Sequence, residues 1–308
     1  MIGVLVMAYG GPDRIEDVEP YLRDVRGGHP APPAVLAEVR RRYALIGGRS
    51  PILERTRAQA NALQAALDSQ GAGMRTYIGM RHWHPRLDEA VASMAADGIR
   101  SMVGLVMAPH YSRMSVELYY QRLAQAIQAH HPALQVARID SWKDDPGYLA
   151  VLRERIARGL SRLPPELRRR VELVCTAHSL PERILEWNDP YPDELRATFE
   201  VLREAFPDLD SHFAYQSAAM TDEPWLGPEA GALMEARLAA GVKAFLVVPM
   251  GFVSEHVEIL YDVDIALRQR VEAGGGRLER IEMPGDDPHM MASLASRVRD
   301  AAAAKGWV

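Results

Sequence analysis

Apolar positions along the chain fall into eight short runs separated by stretches of helical period. Residues 2–8 are almost all apolar, the pattern of a strand covered on both faces. Tyr9-Gly10-Gly11-Pro12 breaks that run. Further strands are predicted over 74–80, 101–108 and 134–139, with helices over about 14–25, 33–46, 50–67, 85–98 and 112–131. Gly47-Gly48 stops the second helix. Ser50-Pro51 opens the third, where the missing proline N–H costs nothing. The pattern then restarts. Strands are expected over 170–177, 211–216, 243–249 and 277–283, helices over about 147–163, 193–205, 228–240 and 255–272, and a last helix from about 287. Such alternation argues for an α/β fold of parallel sheets with helices on both sides. The soft boundary at 141–146 divides it into two doubly wound, four-stranded halves. One is expected to hold residues 1–140 with the terminal helix 287–308, the other residues 141–286.

The two halves echo one another. The first strand ends Val6-Met7-Ala8-Tyr9, the fifth Cys175-Thr176-Ala177-His178. The third runs into Pro109-His110-Tyr111-Ser112, the seventh into Pro249-Met250-Gly251-Phe252-Val253-Ser254. In two facing halves, equivalent strand ends line opposite walls of one cleft. Tyr9 is therefore expected to face His178, with the helix from Glu255 beside His178. Ser254 reads as that helix's N-cap. Glu255, Glu258 and Asp262, at i, i+3 and i+7, fall within an arc of roughly 60°. On an isolated helix they would be a solvated acidic first turn. Here the preceding strand and turn set them at a carboxyl edge, where open sheets bind ligands, and stacked carboxylates ask for a cation.

Composition narrows the chemistry. The chain has 308 residues, 48% hydrophobic and 25% charged, with net charge −5. That is an ordinary globular balance, with no field to recruit nucleic acid or anionic membrane. No apolar run approaches the roughly 20 residues of a transmembrane helix, and the N-terminus lacks a signal peptide's basic region. A cytoplasmic location is expected. The single Cys175 excludes an intrachain disulfide, a multi-thiolate zinc site and a cysteine-held iron–sulfur cluster. No tightly bound cofactor is expected. His178 with Glu258 would give an N/O metal site with open positions, suited to Fe²⁺, Co²⁺ or Zn²⁺.

Arginines 26, 40, 41, 42 and 49 crowd the first third. Arg40 and Arg41 read as a solvated face. Arg42-Tyr43 leads into Ile46-Gly47-Gly48-Arg49-Ser50-Pro51, a glycine-rich turn at a helix N-terminus that suits carboxylates and lacks P-loop spacing. Tyr9, Trp83, Tyr111, Met114, Tyr119 and Trp225 could wall a flat apolar ligand. Met80 reads as core, and of Tyr119 and Tyr120 only one can face the cleft. His82 and His84, at i and i+2 with no third ligand, do not read as a metal site.

Three motifs in one order resemble the signatures of the ferrochelatase family. They are Thr176-Ala177-His178-Ser179-Leu180-Pro181, then Tyr215-Gln216-Ser217 with Glu223-Pro224-Trp225-Leu226-Gly227-Pro228, then Gly251-Phe252-Val253-Ser254-Glu255-His256-Val257-Glu258-Ile259-Leu260-Tyr261-Asp262. The resemblance runs from Met7-Ala8-Tyr9-Gly10 to the last helix. It implies two Rossmann-like halves with a porphyrin between them, and insertion of Fe²⁺, a substrate here. His178 and Glu258 match the family's catalytic metal-site pair. Tyr9 matches a tyrosine of the bacterial branch acting on coproporphyrin III. By similarity Arg26, Arg42, Tyr43, Ser50 and Tyr119 contact the substrate; the acidic face itself points to Glu255 and Asp262 as an expected proton or metal path.

Two departures stand out. Arg26-Gly27 replaces a pair of basic residues, and Ala266 replaces an acid of an outer metal site in some relatives. The stretch 25–33 is too short and polar for the membrane lip of the protoporphyrin IX branch. Alternatives are a protoporphyrin IX ferrochelatase, a cobalt chelatase of another tetrapyrrole and a non-catalytic haem carrier. A monomer with transient handover to other haem-pathway enzymes is expected.

Overall fold

The computed structural model describes residues 1–219, 221 and 223–308. Strands β1 Ile2–Ala8, β2 Met74–Met80, β3 Ser101–Val106 and β4 Gln135–Ile139 form one sheet in the order β2-β1-β3-β4. Strands β5 Val171–His178, β6 Ser211–Gln216, β7 Ala244–Val248 and β8 Arg277–Arg280 form a second in the order β6-β5-β7-β8. Every pairing is parallel. All seven residues of β1 are buried, as an uninterrupted apolar run at a sheet centre requires. The expected α/β architecture of two doubly wound four-stranded halves is the one observed.

The first sheet is accompanied by α1 Val18–Val25, α2 Pro33–Leu45, α3 Ile52–Ser69, α4 Leu87–Ala96 and α5 Val116–His130. The second carries α6 Pro146–Arg162, α7 Pro165–Arg168, α8 Tyr191–Ala205 and α9 Ala230–Ala239. A π-helix, Glu258–Leu267, continues into α10 Arg268–Ala273. The last helix, α11 Pro288–Ala303, packs on α3, α6, β3 and β4. One apolar cluster runs from Val4 and Val6 through Trp142 and Tyr148 to Leu173 and Leu246, so the halves share a core. Each such buried side chain contributes about 1.5–3 kcal/mol.

Polar straps add to this joint at two places. On one side the loop after β3 is tied to the start of α8. The Tyr111 N–H donates to Glu194 (2.6 Å), the Arg113 N–H to Asp189 (2.8 Å), and His110 Nε2 lies 2.8 Å from Thr198 Oγ1. On the other, Arg41 of α2 donates to the Tyr261 hydroxyl, and Arg42 pairs with Asp262 at 3.4 Å.

One expectation about the fold fails where it matters. Ser254 is not an N-cap, because the helix begins at Glu258 with Val257 preceding it. Its turns close i→i+5 rather than i→i+4, so the 3.6-residue arithmetic does not apply. Glu258 and Asp262 remain close to one face, but Glu255 lies in the approach, outside the helix.

Candidate active site

The carboxyl edges of the two sheets meet at one cavity of about 370 Å³. Each wall is built by short extensions of the central strands. After β1, Tyr9 accepts the His82 N–H at 2.9 Å, and Ala8 accepts the Arg81 N–H at 2.9 Å, so these extensions run side by side. Gly10 follows at φ +91°, a conformation natural to glycine. A Cβ there would sit 2.9 Å from the Trp83 backbone nitrogen. Gly10→Ala is expected to cost about 1–3 kcal/mol, read as a lowered denaturant midpoint with an unchanged slope.

The opposite wall starts at His178, the last residue of β5, paired in register with Gln216. The Tyr191 hydroxyl donates to the His178 carbonyl at 2.9 Å, and His178 Nδ1–H donates to the Ser179 carbonyl. This leaves Nε2 free, 3.4 Å from Glu258 Oε1. Glu258 is fixed through its backbone: Thr176 donates to Gln216 (2.6 Å), and the Gln216 amide donates to the Glu258 carbonyl (3.0 Å).

The electrostatics follow from this pairing. Burial works against charge on His178, but the Glu258 carboxylate and the Ser179 carbonyl outweigh it and raise the imidazole pKa. Burial likewise opposes charge on Glu258, yet His178 holds its pKa below the usual carboxylate range. The resting pair is imidazolium–carboxylate. Asp262 behaves differently. Burial and the nearby Glu258 charge lift it to about 6, against the Ser217 hydroxyl (2.5 Å) and Arg42. Tyr9 is pushed up to about 12 by burial, against the lowering influence of Arg81. Tyr43 and Tyr119 are raised by burial too, so all three are phenols at neutral pH.

Of the residues picked from sequence, Tyr9, Tyr43, Ser50, Met114, Tyr119, His178 and Glu258 line this one cavity, whereas Trp83, Tyr111 and Trp225 do not. Tyr9, after β1 of the first sheet, and His178, at the end of β5 of the second, both line it. The others lie elsewhere. Arg26 is exposed at the end of α1 and lines nothing here. Arg42 is spent on Glu38 (2.9 Å) and Asp262, a consequence of the i, i+4 spacing on α2. Glu255 is drawn off by Arg55 of α3 at 3.0 Å and does not line the cavity, so it is not placed on a path from Glu258. Asp262 lies behind Glu258, against Ser217. Of the neighbouring tyrosines only Tyr119 faces the cleft; the Tyr120 hydroxyl is bonded to Gly104 and Ile139. His82 and His84 pair with different acids, Asp24 and Glu89.

Sequence reasoning missed Arg81, Tyr21, Tyr191 and His256, which also line the cavity. Arg81 is the informative one. Its guanidinium lies 5.7 Å from the Tyr9 ring centre and 5.4 Å from that of Tyr119, with no carboxylate partner among the described residues. Its signal was position: it follows β2 as Tyr9 follows β1. His256 is held neutral by burial, and its Nδ1 accepts the Glu258 N–H at 3.3 Å. No helix among the described residues is long and apolar enough to cross a membrane.

A cavity with an acid–imidazole pair on one wall and phenols with a free guanidinium on the other can bind an anionic flat ring and exchange protons or a metal with it. Comparisons agree. The family model described as Ferrochelatase matches residues 1–302. A ferrochelatase of Deinococcus radiodurans is 39% identical, covering 98% of this chain and 96% of that protein. A protein of Listeria innocua named coproporphyrin III ferrochelatase is 38% identical, covering 97% and 98%. Among solved structures, SirB from Bacillus subtilis with Fe³⁺ matches with a TM-score of 0.61 at 10% identity, covering 99% of this chain and 98% of that one. At that identity the likeness is one of fold. The chain thus belongs to the ferrochelatase family and is an enzyme that places metal in a porphyrin.

Proposed function

We propose that the enzyme inserts Fe²⁺ into coproporphyrin III, with His178 and Glu258 as the catalytic pair. The observation that carries this reading is the His178–Glu258 ion pair facing Tyr9 across a cavity that also holds the unpaired Arg81 guanidinium. Arg81 is half-buried at the cavity wall with no carboxylate partner among the described residues, so its guanidinium is open to an anionic group of a ligand. A ring with four carboxylates offers one to Arg81 while others remain in solvent. Relatives named for coproporphyrin III support the same ring.

Insertion replaces two pyrrole protons by one Fe²⁺ and releases both protons. The resting imidazolium cannot accept a proton or ligate a metal. Loss of its proton to solvent as the dication arrives frees the Nε2 lone pair. His178 then takes the two pyrrole protons in turn and hands each by way of the Glu258 carboxylate toward solvent. Asp262, raised to about 6, is matched to relay them near neutrality. Tyr9, on the far wall, approaches the inserted metal with its hydroxyl. The cavity walls hold the ring distorted, exposing its nitrogens to the ion.

The test is anaerobic metallation followed by absorbance, with coproporphyrin III, protoporphyrin IX and a corrin precursor, each offered Fe²⁺ or Co²⁺. Coproporphyrin III with Fe²⁺ is expected to give the highest kcat/KM, by about tenfold or more over protoporphyrin IX. Equal or reversed preference overturns the substrate reading. Arg81→Met removes a charge-assisted hydrogen bond to a ring carboxylate. It is expected to raise KM for coproporphyrin III about tenfold, with kcat changed less than about threefold.

A further inference from the structure

We propose that Asp24, at the end of α1, is a positioning residue for this reaction: through His82 it fixes where the Tyr9 hydroxyl stands. The inference rests on the reading above that this hydroxyl approaches the inserted metal.

The Tyr9 hydroxyl has no hydrogen-bond partner among the described residues, so its place is set by what its ring packs against. Two groups do this. Arg81 lies over the ring at 5.7 Å on a flexible side chain. His82 is the rigid one: 6% exposed, its ring centre 4.6 Å from that of Tyr9 and tilted by 53°. Its backbone also donates to the Tyr9 carbonyl at 2.9 Å. A buried imidazole with free rotation would be a poor support. This one is held, because Nδ1 lies 2.8 Å from an Asp24 carboxylate oxygen.

That bond fixes the tautomer as well as the ring. Nδ1 must carry the proton it gives to the carboxylate, so Nε2 carries a lone pair. Nε2 is buried and has no partner among the described residues. An unmet buried acceptor is a cost that folding alone does not favour, and such groups cluster where function needs a fixed geometry. The second Asp24 oxygen takes Arg86 at 2.7 Å and Arg122 at 3.4 Å. One carboxylate thereby pins the turn after β2, which carries both Arg81 and His82, to α1. The support under Tyr9 is rigid because its far end is anchored three ways.

A purely structural anchor would make the same contacts, so the experiment must separate the two. Wild type, Asp24→Ala, Tyr9→Phe and the double variant are compared in anaerobic Fe²⁺ insertion into coproporphyrin III. Phenylalanine keeps the ring and removes the group said to be positioned. Asp24→Ala is expected to lower kcat about tenfold with KM for porphyrin within about twofold, and to have no further effect in the Tyr9→Phe background. The Soret band of bound metallated product should shift in Asp24→Ala to match Tyr9→Phe. An equal loss in both backgrounds, or none in either, overturns the proposal. If Tyr9→Phe alone leaves kcat and the Soret band unchanged, the Tyr9 reading itself fails and the inference falls with it. Should Asp24→Ala not fold, Asp24→Asn, which keeps volume and loses charge, carries the same cycle.

Discussion

Replacing His178 with alanine should slow metallation about 10³-fold while leaving porphyrin affinity within about threefold. The size follows from what the substitution removes. Nε2 is the nitrogen turned to Glu258 with nothing else bonded to it, while Nδ1 is tied to the Ser179 carbonyl. Glu258 loses with His178 the cation that keeps it charged, so burial favours its neutral acid, and His256 has its Nδ1 occupied by the Glu258 N–H; neither stands ready to replace it. Porphyrin affinity is expected to survive because Arg81, Tyr43 and Tyr119 still line the cavity. The variant also leaves the half-buried Glu258 without its cation, so some loss of stability is expected. His178→Gln, which keeps a polar partner, separates that loss from catalysis. Stopped-flow absorbance for metallation and fluorescence quenching for porphyrin binding give the two numbers. Near wild-type turnover in both variants would remove His178 from the mechanism.

Glu258→Gln should lower turnover about 10²-fold and move the pH profile in a definite direction. In the wild type the carboxylate holds the imidazole protonated at neutral pH, so kcat/KM for metal should climb with pH until His178 gives up its proton. Without the carboxylate, burial, which lowers the His178 pKa, is opposed chiefly by the Ser179 carbonyl. The rising limb should therefore shift to lower pH by a unit or so. Stability carries a matching sign. The raised His178 pKa stabilises fully below the imidazole's unfolded value, and this is lost as pH rises through the folded one. The lowered Glu258 pKa stabilises above the carboxyl's unfolded value, and this is lost as pH falls through the folded one. The stability gap between wild type and Glu258→Gln should peak between about pH 4.3 and pH 6.5, the two unfolded values. A profile unmoved by the substitution would show that the pair is not coupled in solution.

Much of this architecture is legible because buried parallel strands write themselves as apolar runs. The runs at 2–8 and 170–177 give β1 and β5 nearly to the residue, and the residues next after the apolar runs, Tyr9 and His178, can be set face to face. Helix type is not legible. Nothing in the composition of 255–272 separates i→i+5 from i→i+4 bonding, so the pattern points to Ser254 as a cap and to Glu255 as facing the site. Charge partners are also hidden. That Arg42 is taken by Glu38 and Asp262, or Glu255 by Arg55, depends on neighbours up to about two hundred residues away in sequence. Arg81 escapes because a lone arginine in a turn looks solvated until its missing partner is seen.

The matching strand orders, 2-1-3-4 and 6-5-7-8, bear on how such an enzyme can change. Two copies of one scaffold have been given separate trades: the amino-terminal copy supplies phenols and the free guanidinium, the carboxyl-terminal copy the imidazole and acids. On the proposed reading, substitutions around Tyr9, Arg81 and Tyr119 are expected to retune which macrocycle is admitted while leaving the His178–Glu258 pair opposite intact. Drift toward a new ring is therefore open to this lineage through one copy alone.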